Sequence, residues 1–505
     1  MRRMLSLFLA MILLLSFAAC GKENSDPAAT EATSPASTQP SPTQPVIGND
    51  YILSDNVPEG SVIDGVMTDI SGRDPILTRT TASWADTCVM YEVNIRQFTE
   101  EGTFAAFEGH LDRLKDMGVN TLWLMPIHPI GVEGRKGTLG SYYAVKDYMD
   151  VNPEFGTMED FRHLMEKAHE LGFKVMLDWV ANHTSRDHAW ITEHEDWYVH
   201  RSDGTIESPY DWTDTAKLDY DNYEMRAEMI RAMQFWVEEL GVDGFRCDHA
   251  IGVPATFWNA AVYKLKSVNR EIMMLAETSA AQGLISYAFD SCYNDSLYGK
   301  IAMIRGGVDG DGIRRGMDVE TYYVEGSFPM NYLDNHDKNS YEGTIAGRCG
   351  AAYPALLALT YTAPGYPMIY TSNEQGYDHE LEFFEKDTIP WDDQPQYAPL
   401  IAALSALKTN EKPLASTNRD IAYPDCSNPN MLAFTRSRDG ETVIYIANLF
   451  YEDLSDITVE LGFENATCVL HWDGATLDTN EATMTKADFE NKDFKSYEFY
   501  ILTVK

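Results

Sequence analysis

The sequence is short of basic residues, cysteines and long apolar runs. Only 39 Lys and Arg stand against 78 Asp and Glu, a net charge of −39. That imbalance argues against nucleic acid and anionic lipid surfaces as electrostatic partners. It suits an exported protein that acts on a neutral polymer. Seven cysteines occur in 505 residues, with no CxxC and no metal-type spacing, so no cysteine metal centre is indicated. Export permits disulfides. Cys426 with Cys468 is one conceivable pair, but spacing fixes none, and most of the thiols are expected to be buried. Residues 4–17 form an apolar run too short for a membrane span, behind Arg2 and Arg3. This is the form of an export signal. No internal repeat is present.

The run ends Ala18-Ala19-Cys20-Gly21. It resembles a bacterial lipoprotein signal, residues 1–19, in which Cys20 is lipidated and becomes the mature N-terminus. The expectation is an exported lipoprotein at the cell surface, anchored to the membrane through that lipid. Residues 20–47 are Pro, Ser, Thr, Ala and Gln with almost no large apolar side chain. That composition gives a disordered spacer. Residues 48–85 read as a strand-bearing lead-in.

From residue 86 an alternation begins and runs to 409. Strands are expected over 89–95, 120–125, 173–178, 242–248, 272–277, 286–292, 329–334 and 367–370. Helices are expected over 104–117, 158–171 and 225–240, each with apolar residues on one face and a glycine after the last turn. Eight strands separated by helical segments close most simply as a (β/α)8 TIM barrel. A polar, aromatic insert of about 182–217, with no clear helix, follows the third strand. From 410 to 505 the pattern changes to short alternating runs at 431–437, 442–448, 457–461, 467–471 and 496–504. These predict a separate C-terminal antiparallel β-sandwich domain.

In such barrels chemistry gathers at the C-terminal strand ends, and four of them carry it. The third strand ends Asp178-Trp179-Val180-Ala181-Asn182-His183, and the fourth Gly244-Phe245-Arg246-Cys247-Asp248. The fifth ends Leu275-Ala276-Glu277, and the seventh Leu333-Asp334-Asn335-His336-Asp337. Arg246 and Asp248, two apart on one strand, share a face. A guanidinium there would hold Asp248 ionised, as a covalent nucleophile requires.

Together and in this order, the four stretches resemble the α-amylase family, glycoside hydrolase family 13. So do Gly140-Ser141-Tyr142-Tyr143, Val151-Asn152-Pro153-Glu154-Phe155-Gly156-Thr157 and Ala363-Pro364-Gly365-Tyr366-Pro367. The resemblance implies a retaining α-glucan hydrolase that cleaves α-1,4 bonds of starch or maltodextrins by double displacement. Asp248 would be the nucleophile, Glu277 the general acid/base and Asp337 the third carboxylate, gripping sugar hydroxyls. The charges of Asp248 and Asp337 would raise Glu277 so that it donates a proton. His183 and His336 would hydrogen-bond the sugar, Tyr143 would stack on it, and Asp178 would support Arg246.

Asn182 is a calcium ligand in many relatives, but the Lys-His pair that usually follows the nucleophile is replaced by His249-Ala250-Ile251. Asp187, Glu193, Glu195 and Asp196 fall in no recognisable ligand order. Calcium dependence is therefore not expected, and no cofactor is required. The run Asp309-Gly310-Asp311-Gly312 reads as a turn. Thr215-Ala216-Lys217-Leu218-Asp219 resembles the neopullulanase branch, which leaves a cyclomaltodextrinase-like hydrolase or a 4-α-glucanotransferase as alternatives. A non-catalytic glycan-binding lipoprotein is the remaining one. The expected partner is an α-glucan, with no nucleic acid, and the expected state is a monomer.

Overall fold

The computed structural model describes residues 60–70, 80–279, 282–301 and 310–505. The export signal, Cys20, the 20–47 spacer and Asp309 lie outside the described residues. The lead-in contributes a small hairpin, Val62–Ile63 paired with Val66–Met67.

Eight parallel strands then close a barrel: β1 Met90–Val93, β2 Thr121–Leu124, β3 Lys174–Trp179, β4 Gly244–Cys247, β5 Met273–Ser279, β6 Ser291–Tyr293, β7 Phe328–Tyr332 and β8 Tyr366–Tyr370. Closure is made by β8 on β1, with Met368 opposite Met90 and Tyr370 opposite Glu92. The interior is packed, not hollow. Met90, Trp123, Met176, Met273, Leu275, Met330 and Met368 fill it as one buried cluster, and a second, larger cluster joins the strands to the surrounding helices. Buried apolar area of this extent supplies the dominant folding term.

Local chemistry sets the element ends. The helix Met158–Glu170 starts in a capping box, Thr157 with Asp160. The helix Tyr223–Leu240 stops at Gly241, whose φ of 71° lets its N–H reach the Trp236 carbonyl. Several expected boundaries move for similar reasons. β1 ends at Val93, because the Asn94 side chain accepts from the Gln97 N–H and starts a helical turn, Ile95–Phe98. The helix expected over 104–117 is two, Phe104–Glu108 and Leu111–Asp116, interrupted at Gly109. β6 is shorter than the expected 286–292, since the Tyr287, Ala288 and Phe289 amides all turn back to the Leu284 carbonyl. Gly310–Gly316 is a helix, not the turn expected there. The insert holds one helical turn, Trp190–Glu193, and a short antiparallel pair, His183–Ser185 with Thr215–Lys217.

The C-terminal part is antiparallel. A six-stranded sheet includes Met431–Arg438, Glu441–Asn448, Asn465–Trp472 and Phe499–Val504. A two-stranded ribbon, Leu454–Ile457 with Lys492–Phe494, packs on its inner face through Leu454, Ile457, Phe494, Ile444 and Leu502. The strand expected at 457–461 ends at Ile457 instead, just after Asp456 turns left-handed at φ 57°. Cys426 and Cys468 are free thiols, as are Cys88 and Cys247, so the conceivable 426–468 pair is not formed. Among the described residues no helix is long and apolar enough to cross a membrane.

Candidate active site

Arg246 sits at the centre of the site. It projects from β4 and is fully buried. Gly244, two residues earlier, makes room for the neighbouring strand, because a Cβ there would lie 2.3 Å from the Met273 carbonyl oxygen. Arg246 Nη1 donates to both Asp178 oxygens, at 2.9 and 3.1 Å, and to Asp248 Oδ1 at 3.2 Å. Its Nε donates to the Tyr293 hydroxyl at 3.1 Å, and its Nη2 is ion-paired with Glu277 Oε1 at 2.9 Å. Trp123 lies under the guanidinium, 5.0 Å from ring centre to Cζ. One cation thus ties the ends of β3, β4 and β5 together.

These groups open into a cleft of about 530 Å³ lined by Asp248, Glu277, Asp337, Tyr143, His183 and His336, among others. The structure brings together every site residue expected on the barrel. Tyr143 is half-buried on the wall, and its hydroxyl lies 3.0 Å from Asp178 Oδ2 and 2.8 Å from His336 Nε2. His336 is held from behind by Glu92 at the end of β1, Nδ1 to Oε1 at 2.5 Å, and faces Asp337 Oδ1 at 3.6 Å. His183 is buried and packs against Trp212 of the insert. Sequence reasoning missed Glu92, Tyr293, Trp212, Tyr341, Phe383 and Phe384. Glu92 and Tyr293 do stand at strand ends, a signal that could have singled them out. The others come from loops with no regular pattern.

The electrostatics correct two expectations. Asp248 is not held low by Arg246. Burial, and then the charge of Glu277, raise it well above the ordinary carboxylate range, with Arg246 only opposing them. Glu277 is not raised. Burial pushes it up, but Arg246 and the His249 N–H, 2.6 Å from Glu277 Oε2, outweigh burial and lower it. His249 reaches that position through a left-handed backbone, φ 42°, which is rare for a residue with a Cβ. His336 rises to about 9, because Asp337 and Glu92 outweigh burial. His183 falls to about 3 through burial and the neighbouring His249, so it is neutral at pH 7.

The calcium ligands that the resemblance would ask for do not assemble. Asn182 turns its amide nitrogen to His183 Nδ1 at 3.2 Å. Asp187 is committed to the Val132 N–H and to Lys146 Nζ, the latter at 2.9 Å. Asp196 accepts from Asn222. Among the described residues no three of His, Cys, Asp and Glu gather as a metal site. The residues present do not fit a tight calcium ion, which needs about six to eight oxygen ligands.

The family model for the alpha amylase catalytic domain matches residues 68–291, a span that holds Asp178, Arg246, Asp248 and Glu277. Over that span the chain matches the alpha-amylase family. A solved alpha-amylase from Lactobacillus plantarum is 28% identical, covers 83% of this chain and 99% of its own, and superposes with a TM-score of 0.73. A maltogenic alpha-amylase from Thermotoga neapolitana is 27% identical with the same coverages and a TM-score of 0.74. Among curated proteins, alpha-amylase MalA of Haloarcula japonica is 27% identical over 76% of this chain. An alpha-1,4-glucan:maltose-1-phosphate maltosyltransferase of Salinibacter ruber is 26% identical over 74%. The chain spans 59% and 60% of the lengths of these two curated relatives.

Proposed function

We propose that this protein is a retaining hydrolase of the alpha-amylase family that cleaves α-1,4 bonds in starch or maltodextrins by double displacement. The observation that carries this is the convergence of Asp248, Glu277 and Asp337 on one cleft, the first two paired with the buried Arg246 guanidinium and the third facing His336. Asp248 attacks the anomeric carbon, Glu277 protonates the leaving oxygen and later activates water, and Asp337 accepts from sugar hydroxyls. His336 and His183 hydrogen-bond the same sugar, which Tyr143 backs.

The free-state charges favour the proton on Asp248 and the negative charge on Glu277. Catalysis needs the reverse arrangement of that one proton. A sugar entering between them draws Glu277 away from Arg246 Nη2 and the His249 N–H. Once released, Glu277 becomes the weaker acid and takes the proton from Asp248, while Arg246 Nη1 stays on the Asp248 carboxylate.

A second reading has a specific basis. Lys217, on the strand that pairs with His183, stands in the stretch resembling the neopullulanase branch, and a maltosyltransferase is among the relatives. Cyclodextrin hydrolysis or glucan transfer would use the same three carboxylates. At the cell, lipidated Cys20 and the 20–47 spacer hold the catalytic part at the membrane surface of an exported, monomeric lipoprotein.

The test is incubation with starch, pullulan and cyclodextrin, then sizing of products, for the wild type and Asp248→Asn. Starch should be cut by the wild type. The variant should lose activity by several orders of magnitude at unchanged melting temperature, because no covalent intermediate can form. Near-native turnover in Asp248→Asn would remove it from the role. Products longer than an added maltoheptaose would assign transfer instead.

A further inference from the structure

Residues 131–140, in the loop after β2, form a strap tied to both neighbouring walls of the cleft. Its base is closed by the antiparallel bridge between Ile130 and Val145. On one side it reaches the insert. Val132 N–H donates to Asp187 at 3.0 Å, Lys136 Nζ pairs with Asp214 Oδ1 at 3.3 Å, and Gly134 passes 3.5 Å, measured from a built Cβ, from Asp214 Cα. On the other side it reaches the loop after β8. Thr138 N–H donates to Glu385 Oε1 at 2.9 Å, and Leu139 N–H to the Phe384 carbonyl at 3.1 Å. The buried Arg96 holds its end, through the Gly140 carbonyl at 3.0 Å and the Leu139 carbonyl at 3.2 Å.

The strap is shaped for this contact. Gly134, Gly137 and Gly140 all have left-handed backbones, φ 72°, 65° and 79°. A Cβ on Gly137 would lie 2.5 Å from Phe384 Cβ and 2.9 Å from its carbonyl oxygen. So many ties on a ten-residue stretch make it a fixed wall and not a free loop.

Its place in the barrel gives it a direction. Strand order runs β8, β1, β2, β3, so a strap joining the loops of β8, β2 and β3 arches over that side. The same side carries Tyr143, Phe383, Phe384 and Lys136 on the cleft wall. The opposite side, after β4 and β5, presents His249, Ile251, Thr278 and Ser279 beside Glu277. Glu277 protonates the leaving oxygen, so the leaving portion extends toward that second side. The retained portion, backed by Tyr143, extends toward the strap.

We propose that the strap closes the cleft beyond the retained sugars, so the enzyme binds a chain by its non-reducing end and releases short products of narrow length. This rests on the α-glucan hydrolase reading above. Lys136, half in the cleft, is placed to donate to the hydroxyls of the terminal sugar.

The test compares maltoheptaoside with a free non-reducing end against the same compound blocked there by a bulky acetal, with the products of starch sized at early conversion. The wild type should cut the free compound at least tenfold faster and give short oligomers while iodine staining persists. Lys136→Ala with Thr138→Ala, which removes the Lys136–Asp214 ion pair on one side and the Thr138 hydroxyl bond to Glu385 on the other, should narrow the ratio at least threefold and lengthen the products. The wild-type comparison stands even if that variant fails to fold. Equal rates on both compounds, with rapid loss of iodine staining, would overturn the strap's role while leaving α-glucan hydrolysis intact. Hydrolysis of neither would overturn the functional reading and the strap's role with it.

Discussion

Replacing Glu92 by Gln keeps the shape of the side chain and removes its charge. Glu92 is fully buried and its partner His336 nearly so, and the two are 2.5 Å apart. Burial raises Glu92 from 4.5 to about 7, against the attraction of His336. His336 rises from 6.5 to about 9. At about 1.4 kcal/mol per unit, each shift corresponds to about 3 kcal/mol. Both shifts make stability fall as pH rises, in successive windows. The raised histidine adds stability that is complete below pH 6.5 and drains away as pH climbs through about 9. The raised carboxyl removes stability as pH climbs from 4.5 through about 7. Near pH 7, measured from the neutral forms, the gain from charging His336 and the cost of charging the buried Glu92 are of similar size, which is the usual fate of a buried ion pair. Glu92→Gln should therefore leave the melting temperature at pH 7 within a few degrees of the wild type. His336, losing the negative charge of its partner, should titrate well below 9 by NMR. The loss of one charged hydrogen bond behind the sugar-facing imidazole, about 1.5–3 kcal/mol, should lower kcat/KM about ten- to a hundredfold. Activity within twofold of the wild type, or a His336 titration still near 9, would refute the reasoning.

Three further outcomes follow from other parts of the chain. Chelation by EDTA should move the melting temperature little and leave activity largely intact, since Asp187 is committed to Lys146 and no cluster of His, Cys, Asp and Glu forms among the described residues; a fall of about ten degrees restored by calcium would show a bound stabilising ion. Cys20→Ser should release the protein from membranes or block its processing, whereas wild-type protein free in the medium and cleaved elsewhere would count against the anchor. Gly244→Ala should cost about 3 kcal/mol or more in denaturant unfolding, because its Cβ meets backbone at 2.3 Å on β5 and the strand cannot yield without moving Arg246.

The parts of the fold legible in the sequence were those written in periodic or terminal signals. Apolar runs followed by Gly118, Gly172 and Gly241 marked the strand and helix alternation, and all three glycines adopt positive φ. The strand ends were legible because polar residues there break an otherwise apolar run. Boundaries failed where a single side chain decides, as Asn94 does by capping the turn after β1. The insert was opaque because its order comes from long-range ties, such as Arg186 to the Thr213 carbonyl and Tyr220 to the Ala181 carbonyl. The strap was invisible for the same reason. Its glycines read as ordinary turn residues until Phe384 is seen against Gly137.

The charge reversal at Asp248 and Glu277 has the same origin. From the sequence, Arg246 has one obvious neighbour, the carboxylate two residues on. In the barrel it has three, and one guanidinium cannot neutralise Asp178, Asp248 and Glu277 together. Asp178 takes the best geometry, with both oxygens on Nη1, and no carboxylate is left with the cation to itself. The excess negative charge in a buried setting is relieved most cheaply by retaining a proton. The site is thereby supplied with the acid it needs at neutral pH without a carboxyl set aside for that purpose. Which oxygen carries the proton is decided by whichever group leaves Arg246. Glu277 is the one free to leave, because Asp178 is walled in by Trp123 and Tyr143, while Glu277 faces the open cleft.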